Sequence, residues 1–248
     1  MIFFLTDYLN FACDLQHDYV ILSRFTRPGG GMADAADSKS AVRKDVRVQV
    51  PPRPPMFVIL IQSTVNTGKS TVSNRLKTLM RRKGFLVNGI DVSNIRASMR
   101  TLFNYFEVKD KRTLEISSMQ SWDLSYEGLK DQARLLAPIL VDIVKHRHGE
   151  NGKSVIFHGV PMNLEEFKNG DFGDKKVIKI FIDLDSKNHK KRIASQIKGT
   201  DRKLDVFDNI RIQHEKLKQD AFNANAEIFI SDRKAHKKIF RLLKQLGL

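Results

Sequence analysis

The chain has 248 residues, 41% of them hydrophobic, one cysteine (Cys13) and a formal charge of +15. A single cysteine excludes an intramolecular disulfide and a cysteine-built zinc site, and fits a reducing cytoplasm. No run approaches the roughly 18 consecutive apolar residues of a membrane-spanning helix. The opening MIFFLTDYLNFACDL is broken by Asp7 and Asp14 and has no basic segment before it, so it does not read as a signal peptide.

Residues 1–55 are expected to be a disordered or spurious extension. Gly29 to Pro55 has neither helical nor strand period and no credible core. It can be back-translated into parts of a transfer-RNA gene taken in order. Ala36 to Ala41 permits an anticodon stem and loop, Val42 to Asp45 a variable-arm hairpin. Val46 to Pro55 permits a T-stem, its loop and a terminal CCA. Met56 would then be the true start. A disordered Pro/Gly/Ala tail has the same consequence for folding. From Met56 onward the chain keeps 36 basic and 22 acidic residues, or +14, so the basic character belongs to residues 56–248. Such a charge suits nucleic acid, a polyanionic small substrate, or simply solvated helix faces.

MFVILIQ (Met56 to Gln62) predicts a strand buried on both faces. STVNTGKST follows, then an amphipathic helix through Val72, Leu76, Leu79 and Met80 that Gly84 ends. Phe85 to Asp91 predicts a second strand, and Ile95 to Phe103 a short helix. Residues 104–122 are expected to be a helical excursion. Leu124 to His148 carries a long helical period. Lys153 to Gly159 and Val177 to Leu184 predict two more buried strands. A helix over Ser186 to Ile197, a polar loop GTDRK and a helix over Val206 to Phe222 come next. Ala226 to Ser231 is a fifth strand and Arg233 to Leu246 a closing helix. Strands alternating with helices predict an α/β fold, a three-layer sandwich with a five-stranded parallel sheet and helices on both faces.

Ser63-Thr64-Val65-Asn66-Thr67-Gly68-Lys69-Ser70 matches the phosphate-loop pattern G-x-x-x-x-G-K-[ST] except at its first position. It has the required setting, a buried strand before and an amphipathic helix after. Backbone N–H groups from Ser63 to Thr71 would cradle phosphate oxygens. Candidate nucleotide contacts are Ser63, Asn66, Thr67, Gly68, Lys69, Ser70 and Thr71. Lys69 would reach the β- and γ-phosphates of ATP, and the Ser70 hydroxyl would ligate Mg²⁺. Ser63 stands where the first glycine often takes a backbone shape that other residues resist.

From about Phe57 to Ser231 the chain resembles the archaeal 2-phosphoglycerate kinases and related P-loop kinases. The resemblance lies in Ser125 to Leu140 (SYEGLKDQARLLAPIL), Gly152 to Met162 (GKSVIFHGVPM), Phe207 to Gln213 (FDNIRIQ) and Asn94 to Arg100 (NIRASMR). It implies ATP-dependent phosphorylation of 2-phosphoglycerate to 2,3-bisphosphoglycerate. Where that family tends to carry Glu-Gly-Val-His after the third strand, this chain has His158-Gly159-Val160-Pro161. The family's acidic position after strand two falls on Ser93, with Asp91 two residues earlier.

Ligands in open parallel sheets bind outside the carboxyl ends of the strands. Asp91 is therefore the candidate base and indirect magnesium ligand, with helix capping as its alternative role. Arg96 and Arg100, one helical turn apart, are candidates for an acceptor phosphate or carboxylate, or are surface residues. His158 would contact phosphate or be packed. Arg202 is the candidate mobile catalytic cation in the loop that small P-loop kinases use as a lid, with Lys203 beside it and Arg192 as a weaker candidate. The expected partners are ATP and a small anionic acceptor, with no membrane. A nucleotide or polynucleotide kinase, and a nucleotide-binding protein without turnover, remain alternatives. Fold alone does not separate these readings.

Overall fold

The computed structural model describes residues 56–105, 110, 113–115, 119–121, 123–148, 153–168, 170–198 and 206–247. The extension before Met56, and Arg202 and Lys203 in the expected lid loop, lie outside the described residues. Five strands form one parallel sheet: β1 (Phe57–Gln62), β2 (Val87–Asp91), β3 (Ser154–Gly159), β4 (Lys176–Asp183) and β5 (Glu227–Ile230). Their order is β2-β3-β1-β4-β5. All six residues of β1 are buried, because it lies mid-sheet with helices above and below.

β1 divides its side chains by the two-residue period of a strand. Phe57, Ile59 and Ile61 face one layer, where Val72, Leu76 and Met80 of helix α1 (Lys69–Arg82) meet Ile239, Phe240 and Leu243 of α6 (Ala235–Gln245). Val58 and Leu60 face the other layer, built from α2 (Val92–Tyr105), α3 (Tyr126–Ile143), α4 (Ser186–Ile197) and α5 (Val206–Asn223). Helices on both faces of a five-stranded parallel sheet are the P-loop three-layer arrangement that the alternating pattern predicts.

Local chemistry sets the helix ends. The Ser125 hydroxyl accepts the Gly128 N–H at 3.1 Å and starts α3. The Asp185 carboxylate accepts the Asn188 N–H at 2.9 Å and starts α4. Gly84, at φ +87°, lets the chain turn out of α1 into β2. The predicted helix to His148 holds its α-form to Ile143 and then widens into a π turn, Val144–His148. α2 begins three residues before its predicted start, because Asp91 closes β2 and opens the helix at once. Among the described residues no helix is long and apolar enough to cross a membrane.

The strand register aligns the carboxyl ends that matter. Gln62 lies beside Gly159 and Phe181, and Asp91 lies beside His158. β1 sits where the chain order reverses, its neighbours being β3 on one side and β4 on the other, so a crevice opens above it. Gly159 keeps that crevice tight: a Cβ there would lie 2.8 Å from Cβ of Val92, the first residue of α2. At Gly89 an added Cβ would meet only the flexible end of Lys77, at 3.3 Å. Gly159→Ala should therefore cost about 1–3 kcal/mol in urea unfolding, as overpacking does, and Gly89→Ala clearly less.

Candidate active site

The loop after β1 makes its turn with two residues at positive φ, Asn66 (+59°) and Gly68 (+92°). Gly68 is the N-cap of α1, and no side chain caps that helix. The N–H groups of its first turn, which have no intrahelical acceptor, are thus left without a side-chain acceptor among the described residues, an end of the kind that can receive an anion. A Cβ on Gly68 would come within 3.1 Å of Arg192 Nη1 and 3.2 Å of Ser231 Oγ, so the glycine is required for both its conformation and its space.

The loop's carbonyls are occupied by donors. Lys69 Nζ and the Thr67 hydroxyl each donate to the Thr64 carbonyl at 3.0 Å. His189 Nε2 donates to the Val65 carbonyl at 2.8 Å, and Arg192 Nη1 to the Thr67 carbonyl at 2.9 Å. The Ser231 hydroxyl also donates to Thr67. The Ser63 hydroxyl donates out of the loop to the Ile182 carbonyl on β4, at 2.6 Å. Ser63 does not use a positive φ, so serine replaces the usual glycine without backbone strain.

Two buried histidines brace the loop from below. A backbone carbonyl only accepts and a guanidinium only donates, so His189 holds its proton on Nε2 toward Val65 and accepts from Arg211 at Nδ1, 3.3 Å away. Burial, with His214, Arg211 and Arg192 nearby, lowers its pKa to about 4. The Thr64 hydroxyl donates to His214 Nδ1 at 3.0 Å, and His214 Nε2 donates to Asp183 Oδ1 at 2.9 Å. Lys218 donates to the other Asp183 oxygen at 2.6 Å. Burial raises the Asp183 pKa, but hydrogen bonds from His214 and Lys218 outweigh it and hold the group below its ordinary value. Burial keeps His214 neutral against the pull of Asp183.

A cleft of ≈ 550 Å³ lies over this loop. Asn66, Gly68, Lys69, Ser70 and Thr71 line one side, and Ser93, Arg96, Gln120, Ser121 and Arg192 are among the residues closing it. Lys69 is buried, and burial lowers its ammonium to about 8 while the Asp91 carboxylate pulls the other way. Arg96 Nη1 donates to the Met119 carbonyl at 2.9 Å, which fixes the guanidinium at the cleft wall. Asp91 Oδ1 accepts the Ser93 N–H at 2.9 Å and so starts α2. Its Oδ2 lies 3.9 Å from His158 Nδ1. Capping and proximity to the loop lysine thus occur in the same carboxylate, which itself lies outside the cleft lining.

The sequence candidates separate accordingly. Asn66, Gly68, Lys69, Ser70, Thr71 and Arg96 come together in the cleft. Asn66 offers it a buried amide, Nδ2, that has no hydrogen-bond partner among the described residues. Ser63 and Thr67 are fully buried and spend their hydroxyls on carbonyls, so their side chains serve the loop's shape. Arg100 is exposed and outside the cleft lining, as a surface residue would be. His158 is buried and outside the lining, and burial lowers its pKa although Asp91 opposes this; the packed alternative fits it. Ser93, Gln120 and Ser121 were missed, as was the His189–His214 brace. The one available signal for the brace was polar residues at buried phases of amphipathic helices.

No protein-family model and no curated protein matches the chain. Solved structures do resemble it. Shikimate kinase from Bacteroides thetaiotaomicron aligns over 78% of this chain and 99% of its own, at 18% identity and a TM-score of 0.44. Shikimate kinase from Acinetobacter baumannii, solved in complex with shikimate, covers 79% and 97% at 13% identity and a TM-score of 0.46. A gluconokinase from Sinorhizobium meliloti 1021 covers 78% and 96% at 12% identity and 0.42. These likenesses are distant, and the fold rests on the strand order and the loop themselves.

The braces predict a pH dependence. An unfolded histidine titrates near its ordinary value while folded His189 titrates at about 4. Between these limits the unfolded chain binds the extra proton, so stability is complete above pH ~6.5 and falls on acidification by about 1.4 kcal/mol per pH unit for one histidine. Urea unfolding from pH 7 to 4 should show this fall, and His189→Gln, which keeps a donor for Val65, should make it shallower.

Proposed function

We propose that the chain is a Mg-ATP-dependent phosphotransferase acting on the alcohol of a small anionic acceptor, a phosphorylated acid of the 2-phosphoglycerate type. The observation that carries the reading is the cleft above the loop. Uncapped helix N–H groups, a buried lysine, a partnerless amide on Asn66 and two guanidiniums meet there. An anion with several phosphates supplies acceptors for the helix N–H groups and the Asn66 amide, and opposite charge for the lysine and the guanidiniums. Ser70 and Thr71 offer exposed hydroxyls at the same helix end. Magnesium takes few protein ligands and keeps waters and phosphate oxygens, so the Ser70 hydroxyl with Asp91 acting through water is a sufficient donor set.

In this reading the acceptor oxygen attacks the γ-phosphorus, the bond from that phosphorus to the β,γ-bridging oxygen breaks, and the alcohol proton passes to Asp91 Oδ2. Asp91 Oδ1 stays on the Ser93 N–H, which holds the carboxylate in place. Lys69 leaves the Thr64 carbonyl for the β- and γ-phosphates and offsets charge developing on the leaving group. Arg192 sits against the loop at Thr67 and adds a second cation. Arg96 binds the acceptor's carboxylate or phosphate. Arg202 is proposed as a further catalytic cation acting on the phosphates.

The test is a panel of acceptors with Mg-ATP and the full chain, including 2-phosphoglycerate, shikimate and gluconate. The expected result is 2,3-bisphosphoglycerate formation. Lys69→Ala and Asp91→Asn should each lower kcat by ~10²-fold or more. Arg96→Ala should raise the acceptor KM with less effect on that for ATP. Phosphorylation that survives Lys69→Ala would sink the proposed site, and ATP binding without consumption would assign the chain to the non-catalytic alternative.

A further inference from the structure

The layer formed by α1 and α6 contains no acidic residue in either helix. Beyond Lys69, which belongs to the loop, α1 carries Arg75, Lys77, Arg81 and Arg82, and α6 carries Lys237, Lys238, Arg241 and Lys244. The opposite layer carries many basic residues too, and several of them are matched. Lys130 pairs with Glu165, Arg134 with Asp131 and Glu166, Arg211 with Glu215 and Lys218 with Asp183. Among the described helices, α1 and α6 together present eight basic residues besides Lys69 and no carboxylate, and α4, with Lys187, Lys190, Lys191 and Arg192, is also basic and free of acidic residues.

Between α1 and α6 runs a groove of ≈ 440 Å³, lined by Asn74, Arg75, Thr78, Arg82, His236 and Lys237 among others. Arg75, Arg82, Lys237 and Arg241 are exposed and make no ion pair with any described residue. The acidic group at the start of α6, Asp232, is taken by Lys238 at 2.6 Å. Burial, with Arg75 and Lys237 next to it, keeps His236 below its ordinary pKa, so the groove's charge resides on guanidinium and ammonium groups. The Asn74 amide adds a neutral donor, while the Thr78 hydroxyl is spent on the Asn74 carbonyl at 2.9 Å.

Arg75 and Arg82 are seven residues apart on one helix, about 10 Å along its axis. Packed helices lie ~8–10 Å apart, so the two rows of cations form a two-dimensional array. One phosphate could engage only part of it, whereas a chain of phosphates engages all of it. Leu79 is the one apolar residue in the lining, and no aromatic side chain stands there to insert into a bilayer. We propose that the α1/α6 face binds the phosphate backbone of a polynucleotide, without base readout and separately from the cleft over the loop. This does not depend on the kinase reading.

The experiment is fluorescence anisotropy of the full chain with a short labelled RNA, single-stranded and duplex, across a salt series. Contacts with about four phosphates predict a log–log salt slope near −3 to −4, so a four-fold rise in salt weakens binding ~50-fold or more. The triple reversal R75E/R82E/K237E should abolish most of that affinity and flatten the slope by about one per charge removed, while fluorescent ATP-analogue binding stays unchanged. The reversal K187E/K191E on exposed α4 should leave RNA binding within about three-fold. Four results would overturn the proposal: no binding at low salt, equal loss in the α4 variant, displacement by excess Mg-ATP, or binding to anionic vesicles without binding to RNA.

Discussion

A loop that is to bind phosphate must turn its amides inward, and this leaves its carbonyls needing donors of their own. In this protein the carbonyls of Thr64, Val65 and Thr67 receive the Lys69 ammonium, the Thr67 and Ser231 hydroxyls, the His189 imidazole and the Arg192 guanidinium. An unmet buried carbonyl costs about 1–3 kcal/mol, so these partners decide which way the peptides face. Much of the surrounding structure follows. β4 supplies the Ile182 carbonyl that receives Ser63, α4 supplies His189 and Arg192, and α5 supplies His214 for Thr64. Three elements distant in sequence converge on one short loop, α4 on its backbone carbonyls and β4 and α5 on its Ser63 and Thr64 hydroxyls.

The fold was legible because its signals are local and repeated. Apolar runs bounded by Gly and polar residues located all five strands, and Ser186 to Ile197 came out with its observed bounds because Asp185 is a strong cap. The strand Glu227–Ile230 was legible even though it is largely exposed. Boundaries slipped where one residue does two jobs. Asp91 ends β2 and caps α2, so no polar gap separates strand from helix. The widening of α3 into a π turn left no mark in composition.

Within the site, the sequence located what lies in one contiguous motif and missed what is assembled across the chain. Gly68, Lys69, Ser70 and Thr71 follow from pattern. His189 and His214, 25 residues apart on different helices, meet with ring centroids 5.5 Å apart only because α4 and α5 pack over β4. Arg96 and Arg100 looked equivalent by spacing, but a bond to the Met119 carbonyl holds one at the cleft while the other stays exposed. Ser63, a candidate nucleotide contact in place of the usual glycine, ties the loop to the neighbouring strand through its hydroxyl. His158, which replaces an expected carboxylate, lies buried behind Asp91.

The lysine of the loop has a consequence for proton balance. Its ammonium, near 8, sits close enough to neutrality that a fraction of molecules lacks the proton around physiological pH. A polyanion arriving beside it favours the charged form, so anion capture and proton uptake are thermodynamically one event. The heat of that event would then include the ionisation enthalpy of whatever buffer gives up the proton. Alkaline solution would weaken capture even where every contact remained geometrically available.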